Sequence, residues 1–204
     1  MREPKFEVID GVAIIPEGTT EIGKEAFYHC SSLTSVTIPE SVTEIGEYAF
    51  GRCTSLKSIT IPDSVEKIGS AFFWCSSLKS IVIPPLVTEI NDHTFFNCES
   101  LQSVELPEGL KCIGARAFAY CKSLQSIVIP KGVKSIRVCA FSDCTSLTTV
   151  TLPIGVNRIN AEAFYSCTSL TTIYVPAGKT DYYKKRLPEE LHNLIVELAP
   201  EKRK

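Results

Sequence analysis

The feature that most constrains the fold of this chain is a 23-residue repeat, because self-similarity at such a period is typical of solenoids. Cysteine, phenylalanine, leucine and proline each recur at this spacing, with one shared step of 22 residues. The cysteine column is Cys30, Cys53, Cys75, Cys98, Cys121, Cys144 and Cys167, and the phenylalanine column is Phe27, Phe50, Phe72, Phe95, Phe118, Phe141 and Phe164. Four residue types in one register over seven units predict a single structural element repeated seven times.

Each unit predicts one short strand and one tight turn. In residues 39–61, apolar Leu56, Ile59 and Ile61 alternate with polar residues, as in a half-buried strand that a proline ends. The segment Ala49-Phe50-x-x-Cys53 is too short for an independent helix and predicts one helical or 3₁₀ turn. A lone strand cannot bury its own face, so the units must stack ~4.8 Å apart. We therefore predict an α/β repeat solenoid of horseshoe shape, with a parallel sheet on the concave face and the turns on the convex side.

The residues before the first repeat predict a cap. Two apolar segments, residues 6–9 and 12–15, flank Asp10-Gly11, which is a strong signal for a two-residue hairpin. Such a hairpin would cover the open end of the stack, which solenoids need to have shielded.

The residues after Pro176 leave the repeat and predict a second cap. Residues 180–186 predict a short helix, residues 188–191 another turn, and residues 194–198 a final strand. We expect one structural domain with a hairpin cap at 1–15, seven repeats at 16–176 and a cap with a basic tail at 177–204.

The repeat unit resembles a known family. Leu-x-x-Val/Ile-x-Ile/Leu-Pro followed by Ile-Gly-x-x-Ala-Phe-x-x-Cys is similar to the Treponema-type, or BspA-like, leucine-rich repeat over about residues 12–176. Departures are local: Asn91, Arg137 and Asn160 replace glycine, and Thr94 replaces alanine. The resemblance implies a curved right-handed solenoid. It also implies kinship with larger bacterial and protist surface proteins that bind host or neighbouring-cell proteins.

Composition narrows the classes of partner. With 44% apolar and 22% charged residues the chain is not of the disordered class, and a net charge of −2 argues against nucleic acid or a membrane surface as partner. Residues 1–100 carry a net −7 and residues 101–204 a net +5. We expect a monomer, with weak head-to-tail association of the two ends as an alternative.

Targeting signals are missing from the chain as written. No apolar run approaches the roughly 18 residues of a membrane helix, and the first seven residues have no apolar core. No Asn-x-Ser/Thr sequon occurs. The sequence as written predicts a cytoplasmic protein, and a surface or secreted location stays open if a leader has been removed.

The nine cysteines allow several interpretations. No closely paired ligands suggest zinc, so we expect no metal site. A disulfide ladder stays an alternative, since neighbouring column positions would lie ~5 Å apart. The favoured interpretation is a column of buried small apolar side chains. Cys112 and Cys139 lie off the column, where other repeats carry charged residues, so we expect exposed thiols and a reducing compartment.

Catalytic patterns find little support. His93 and Cys139 hold equivalent positions two repeats apart, ~10 Å at the ladder spacing. Residues 178–180 are similar to the end of a phosphate-binding loop, but Ile173 stands where that loop requires glycine. We predict no catalytic residue and no cofactor, and a hydrolase is a remote alternative.

Two surfaces are candidates for binding a protein partner. On the concave face the outward columns are rich in serine and threonine, and Glu105 and Tyr174 are the exceptions we single out. On the turns, the two positions between phenylalanine and cysteine are rich in aromatic residues. Phe73, Trp74 and Phe96 should be adjacent there, with Tyr120 nearby, and they predict an exposed apolar patch. The alternative is that half of these aromatic residues pack into the convex side.

The sequence therefore favours a non-enzymatic protein-interaction scaffold whose partner it does not identify. The alternative that follows the family resemblance is an adhesin at the cell surface.

Overall fold

Each coil except the one at residues 39–61 contributes one strand to a main ladder, and the central side chain of the strand points into the core while its neighbours face outward. The computed structural model describes residues 5–199. The strands pair in parallel and in register within three separate sheets, and Thr149, for example, lies between Ser126 and Thr172. The main-ladder strands are Val12–Ile14, Ser35–Thr37, Ser80–Val82, Ser103–Glu105, Ser126–Val128, Thr149–Thr151, Thr172–Val175 and Ile195–Glu197.

A second ladder runs along another side of the stack. Each of its strands is a surface residue followed by an isoleucine, and the isoleucines from Ile22 to Ile136 are buried. The pairing is parallel, as in Glu21 beside Glu44 and Glu44 beside Lys67. The strands are Glu21–Ile22, Glu44–Ile45, Lys67–Ile68, Glu89–Ile90, Cys112–Ile113, Ser135–Ile136 and Arg158–Ile159.

The strand predicted at residues 56–61 does not form. Ile59 and Ile61 are buried as the alternation requires, but residues 57–61 belong to no hydrogen-bonded strand. The hydrogen bond from Lys79 N to Lys57 O, at 3.0 Å, still joins this segment to the next coil. Burial of alternate side chains therefore fixes the path of the segment without the ladder hydrogen bonds that define a strand.

The turns around the phenylalanine column are single turns. In the first coil, Tyr28 N donates to Glu25 O and Cys30 N to Phe27 O, which is the i to i+3 pattern of a 3₁₀ turn. Glu25 and His29 adopt φ of 57° and 64°, and a left-handed residue ends a right-handed helix. The predicted helical turns thus have the expected hydrogen bonds but stop after one turn.

The phenylalanine column is a continuous stack of rings through the core. From Phe27 to Phe164, neighbouring ring centroids lie 5.2–5.5 Å apart with interplanar angles of 1–11°. Phe6 extends the stack into the first cap at 5.5 Å from Phe27. From Phe27 to Phe141 each ring is thus buried between the rings before and after it, so no coil can bury its phenylalanine alone.

The cysteine column adds hydrogen bonds between coils. Six thiols from Cys53 to Cys167 donate to the carbonyl of the phenylalanine one coil earlier, at 3.0–3.3 Å. Burial raises the pKa of these thiols, to about 12 for Cys167, so they remain protonated donors at neutral pH. All nine cysteines are free thiols. The column is buried as predicted from Cys53 to Cys144, its end members Cys30 and Cys167 are half-buried, and six of its thiols also link neighbouring coils.

One coil is a residue shorter than the others, and a serine hydroxyl replaces the hydrogen bond that the missing residue would make. Tyr48 and His93 are equivalent residues of their coils, and both have a left-handed backbone conformation. The coil between them is one residue shorter and has no residue at this position. In the following coil His93 N donates to Ala115 O at 2.9 Å. In the short coil Ser70 Oγ instead donates to Asp92 O at 2.6 Å. A side chain thus replaces the backbone donor that the deletion removes.

The first cap is the predicted hairpin. Val8–Ile9 pairs antiparallel with Val12–Ile14 across Asp10 and Gly11, whose φ values are 48° and 81°. A Cβ on Gly11 would lie 2.7 Å from Ser32 O, so this position requires glycine. The second strand also pairs in parallel with Ser35–Thr37. The hairpin therefore supplies the first rung of the main ladder.

The second cap contains the predicted elements. A helix at Thr180–Lys184 and a 3₁₀ helix at Glu189–Leu194 lead to the last strand, Ile195–Glu197, which pairs in parallel with Thr172–Val175. The hydroxyl of buried Tyr183 donates to Pro153 O. Residues 1–4 of the predicted first cap and the basic tail Lys202–Lys204 lie outside the described residues.

One carboxylate holds this cap together. Glu197 accepts hydrogen bonds from Gly178 N at 2.9 Å, Thr180 N at 3.1 Å and Thr180 Oγ1 at 2.7 Å. These bonds, the one from Gly178 first, lower the pKa of Glu197 from its ordinary 4.5 to about 2.

Phe95→Ala tests the ring stack. Phe95 is fully buried between Phe72 at 5.4 Å and Phe118 at 5.2 Å. We expect a loss of ~3–5 kcal/mol in the free energy of unfolding, measured with urea, because the change leaves a cavity. Tyr165→Ala, at an aromatic residue that is 65% exposed, is the control and should cost no more than about 0.5 kcal/mol. A loss below about 1 kcal/mol for Phe95→Ala would contradict a packed column.

Glu197→Gln tests the carboxylate of the second cap. A lowered folded pKa means that the charge stabilises the fold above pH 4.5, and that this contribution is lost as the pH falls through about 2. The Tm of the wild type should exceed that of Glu197→Gln at pH 7, and the difference should shrink toward pH 2. Glu190→Gln, at an exposed residue of the 3₁₀ helix, is the charge control. A difference for Glu197→Gln that does not change with pH would show that the charge plays no part.

Candidate functional site

Six aromatic residues on the turns form one contiguous surface, here called the aromatic edge. Its members are Tyr28, Tyr48, Phe73, Trp74, Phe96 and Tyr120. Phe73 stacks on Phe96 at 5.4 Å, and Phe96 meets Tyr120 edge-on, also at 5.4 Å. Tyr48 meets Phe73 edge-on at 5.6 Å and lies 6.2 Å from Tyr28. The predicted adjacency of Phe73, Trp74 and Phe96 is confirmed. The aromatic edge as a whole extends over five coils, from Tyr28 to Tyr120.

The aromatic edge is partly buried, not fully exposed. Trp74 and Tyr120 are each 37% exposed, and both stand at the left-handed position before the cysteine, with φ of 61° and 62°. Phe73 and Phe96, one position earlier, are half-buried. The structure thus combines the predicted patch with the alternative that half of its members pack against the solenoid.

Arg52 lies against the centre of this edge. Its guanidinium carbon is 4.9 Å from the ring centroid of Trp74, within cation–π distance. Its Nε is buried and has no hydrogen-bond partner among residues 5–199. The edge therefore offers aromatic faces together with a cation whose hydrogen-bonding capacity the fold leaves partly unused.

The other two predicted site residues lie elsewhere. Glu105 is exposed and Tyr174 half-buried, and both belong to the main ladder. Three coils separate them, ~14 Å at the ladder spacing. The structure brings neither together with the aromatic edge, so the predicted residues form two separate surfaces.

The sequence reasoning missed a groove near the second cap. It has a volume of about 660 Å³ and is lined mainly by Val128, Pro130, Pro153, Ile154 and Leu198. Ile154 is 63% exposed and directly follows its proline, where several other units carry a charged residue. Five of the eight units carry a charged residue at this position, so the large apolar side chain of Ile154 was the signal available in the sequence.

A notch lies on the second ladder beside the short coil. Its rim carries Glu44, Glu47, Glu66 and Glu89. Lys67 lies 3.5 Å from Glu44, and Arg137 lies 3.3 Å from Glu89, so part of the charge is neutralised. Among residues 5–199, no cluster of histidine, cysteine and acidic residues is arranged to hold a metal ion.

The two cysteines outside the column are half-buried, which corrects the expectation of exposed thiols. Neighbouring coils cover them: Ser135 Oγ donates to Cys112 Sγ at 3.1 Å, and Cys139 Sγ donates to Glu162 at 3.5 Å. Burial and the Glu162 carboxylate raise the pKa of Cys139. A thiol with a raised pKa is a poor nucleophile at neutral pH, so this geometry does not resemble a cysteine hydrolase.

Comparisons with known proteins agree with this geometry. The family described as the BspA type leucine rich repeat region matches in six copies, over residues 12–122 and 69–187. A leucine-rich repeat protein from Treponema pallidum is 33% identical, with a TM-score of 0.72, over 86% of this chain and 82% of the other. No curated protein matches the chain.

A leucine-rich repeat protein from Bacteroides ovatus is also similar, at 27% identity and a TM-score of 0.72. The match covers 93% of this chain but only 54% of the other, so this chain spans about half of that relative. Within residues 5–199, none of the helices has the length and apolar character that a membrane crossing requires. The matched repeats and the stacked coils show that this chain belongs to the BspA-type leucine-rich repeat family.

Proposed function

We propose that the chain is a non-enzymatic scaffold that binds a protein partner through the aromatic edge. The observation that carries this proposal is the unbroken series of ring contacts from Tyr28 to Tyr120 across neighbouring coils. Tryptophan, tyrosine and arginine are the residues that most often dominate the energy of protein interfaces. Trp74, Tyr120 and Arg52 supply all three on one surface.

The surrounding surface supports the same choice. The outward columns of the main ladder are mostly serine and threonine, whose short side chains offer little area for a hot spot. The column positions of phenylalanine and cysteine are buried and serve the core. The position directly before the cysteine is not buried in any of the seven coils, so its residue can differ from coil to coil and can serve binding.

Family membership favours a second candidate, adhesion at the cell surface. Its molecular activity would be the same binding of a protein by the solenoid, with the partner on a host or a neighbouring cell. The location of this partner distinguishes the two candidates, and the same surface would serve both.

Partner capture from a lysate of the source organism tests the proposal. Trp74→Ala should weaken capture at least about tenfold, as expected for a tryptophan hot spot. The change should lower the free energy of unfolding by only about 1 kcal/mol, because it removes a partly exposed ring and one cation–π contact. Tyr165→Ala, which removes an exposed aromatic residue outside the edge, should capture as well as the wild type. Equal capture by Trp74→Ala and the wild type would contradict the proposal.

A further inference from the structure

Charge is segregated within the first three coils. Residues 26–38, 49–61 and 71–83, which run from the phenylalanine turn to the end of the main strand, contain no aspartate or glutamate. They contain three cations, Arg52, Lys57 and Lys79. The remaining parts of the same coils, residues 16–25, 39–48 and 62–70, contain eight carboxylates and two lysines.

The cations of the two regions differ in how they are paired. In the acidic region Lys24 lies 2.8 Å from Glu47 and Lys67 lies 3.5 Å from Glu44. Within residues 5–199 no carboxylate forms an ion pair with Arg52, Lys57 or Lys79. In the part of the chain that the structure describes, the lysines of the acidic region are thus paired, whereas Arg52, Lys57 and Lys79 have no carboxylate partner.

The two lysines lie side by side. Lys79 N donates to Lys57 O at 3.0 Å, so the residues occupy equivalent positions in adjacent coils, and both are exposed. Lys57 follows Arg52 by five positions, and Lys79 follows Trp74, on which Arg52 packs, by the same number. Two ammonium groups held side by side repel each other. Stability thus gives no reason for this pair, whereas an anionic partner would.

We propose that the aromatic edge, together with Arg52, Lys57 and Lys79, binds an acidic protein segment that carries an aromatic or aliphatic anchor residue. This inference rests on the proposed function and specifies the chemistry of its partner. The anchor would pack on Trp74 and Phe96. Carboxylates on either side would meet the guanidinium of Arg52, whose planar fork matches a carboxylate, and the two ammonium groups.

A single-stranded nucleic acid is the competing occupant, because aromatic faces and cations also bind its bases and phosphates. The charge of the surrounding region favours the peptide. Residues 1–100 carry a net −7, which repels a long polyanion, whereas a short acidic segment need contact only the three cations.

Selection from a displayed library of random 12-residue peptides tests this inference with the full chain as bait. Peptides that bind the wild type but not Trp74→Ala should be enriched in aspartate and glutamate around an aromatic or aliphatic residue. Lys57→Glu combined with Lys79→Glu should weaken the selected peptides about tenfold at low salt, and rising salt should weaken the wild type as well. Lys184→Glu combined with Lys185→Glu, at two exposed lysines of the second cap, makes the same charge change and should have little effect.

Each of the remaining outcomes would overturn a specific part of the proposal. Trp74-dependent peptides without an acidic bias would overturn the charge inference and leave the proposed function standing. Binding of a fluorescent 20-nucleotide oligothymidylate that is tighter than the peptides, and lost in the Lys57/Lys79 double variant, would assign the surface to nucleic acid. If no selected peptide depends on Trp74, the inference fails; capture from the lysate then decides separately whether the proposed function fails with it.

Discussion

The contact between successive coils is the interaction on which the rest of this structure depends. A typical 23-residue coil has a three- or four-residue strand, a two-residue strand and single turns, none of which is stable alone. Stacked phenylalanine rings and thiol–carbonyl hydrogen bonds join each coil to its neighbours. Both contacts lie in the same turn, so side chains join the coils where the backbone forms no strand. The two caps matter for the same reason, because each supplies the neighbour that an end coil lacks.

Much of this fold follows from spacing alone. A fixed period with buried residue types at fixed offsets requires parallel stacking, and Asp10-Gly11 requires a hairpin, so both could be predicted. The missing strand at residues 57–61 could not, because alternation reports which side chains are buried and not which backbone groups pair. The role of Ser70 could not be predicted either. Its hydroxyl compensates for the missing residue because Asp92 O lies within hydrogen-bond distance, and the sequence does not report that position.

The aromatic edge shows the same division. Adjacency of Phe73 and Phe96 follows from the period, since equivalent positions in adjacent coils are neighbours. How deeply each ring is buried does not follow from the period. The left-handed residue before the cysteine leaves Trp74 more exposed than Phe73, and sequence periodicity carries no signal for that backbone conformation. The packing of Arg52 on Trp74 likewise depends on side-chain conformation in two coils.

The repeat thus separates the positions that build the fold from those that can vary. The column of phenylalanine and cysteine is uniform because each member must fit the coil on either side. Positions outside this column differ from coil to coil, and the aromatic edge, its cations and the groove beside Ile154 arise from such differences.

Site-resolved thiol labelling under native conditions, read by mass spectrometry, tests the continuous buried column most directly. Cys53, Cys75, Cys98, Cys121 and Cys144 should react only when the whole domain unfolds, all at one rate, whereas half-buried Cys112 and Cys139 should react faster. Fast labelling of any one of the five, or a disulfide between any two of them, would contradict a single dry column that joins all the coils.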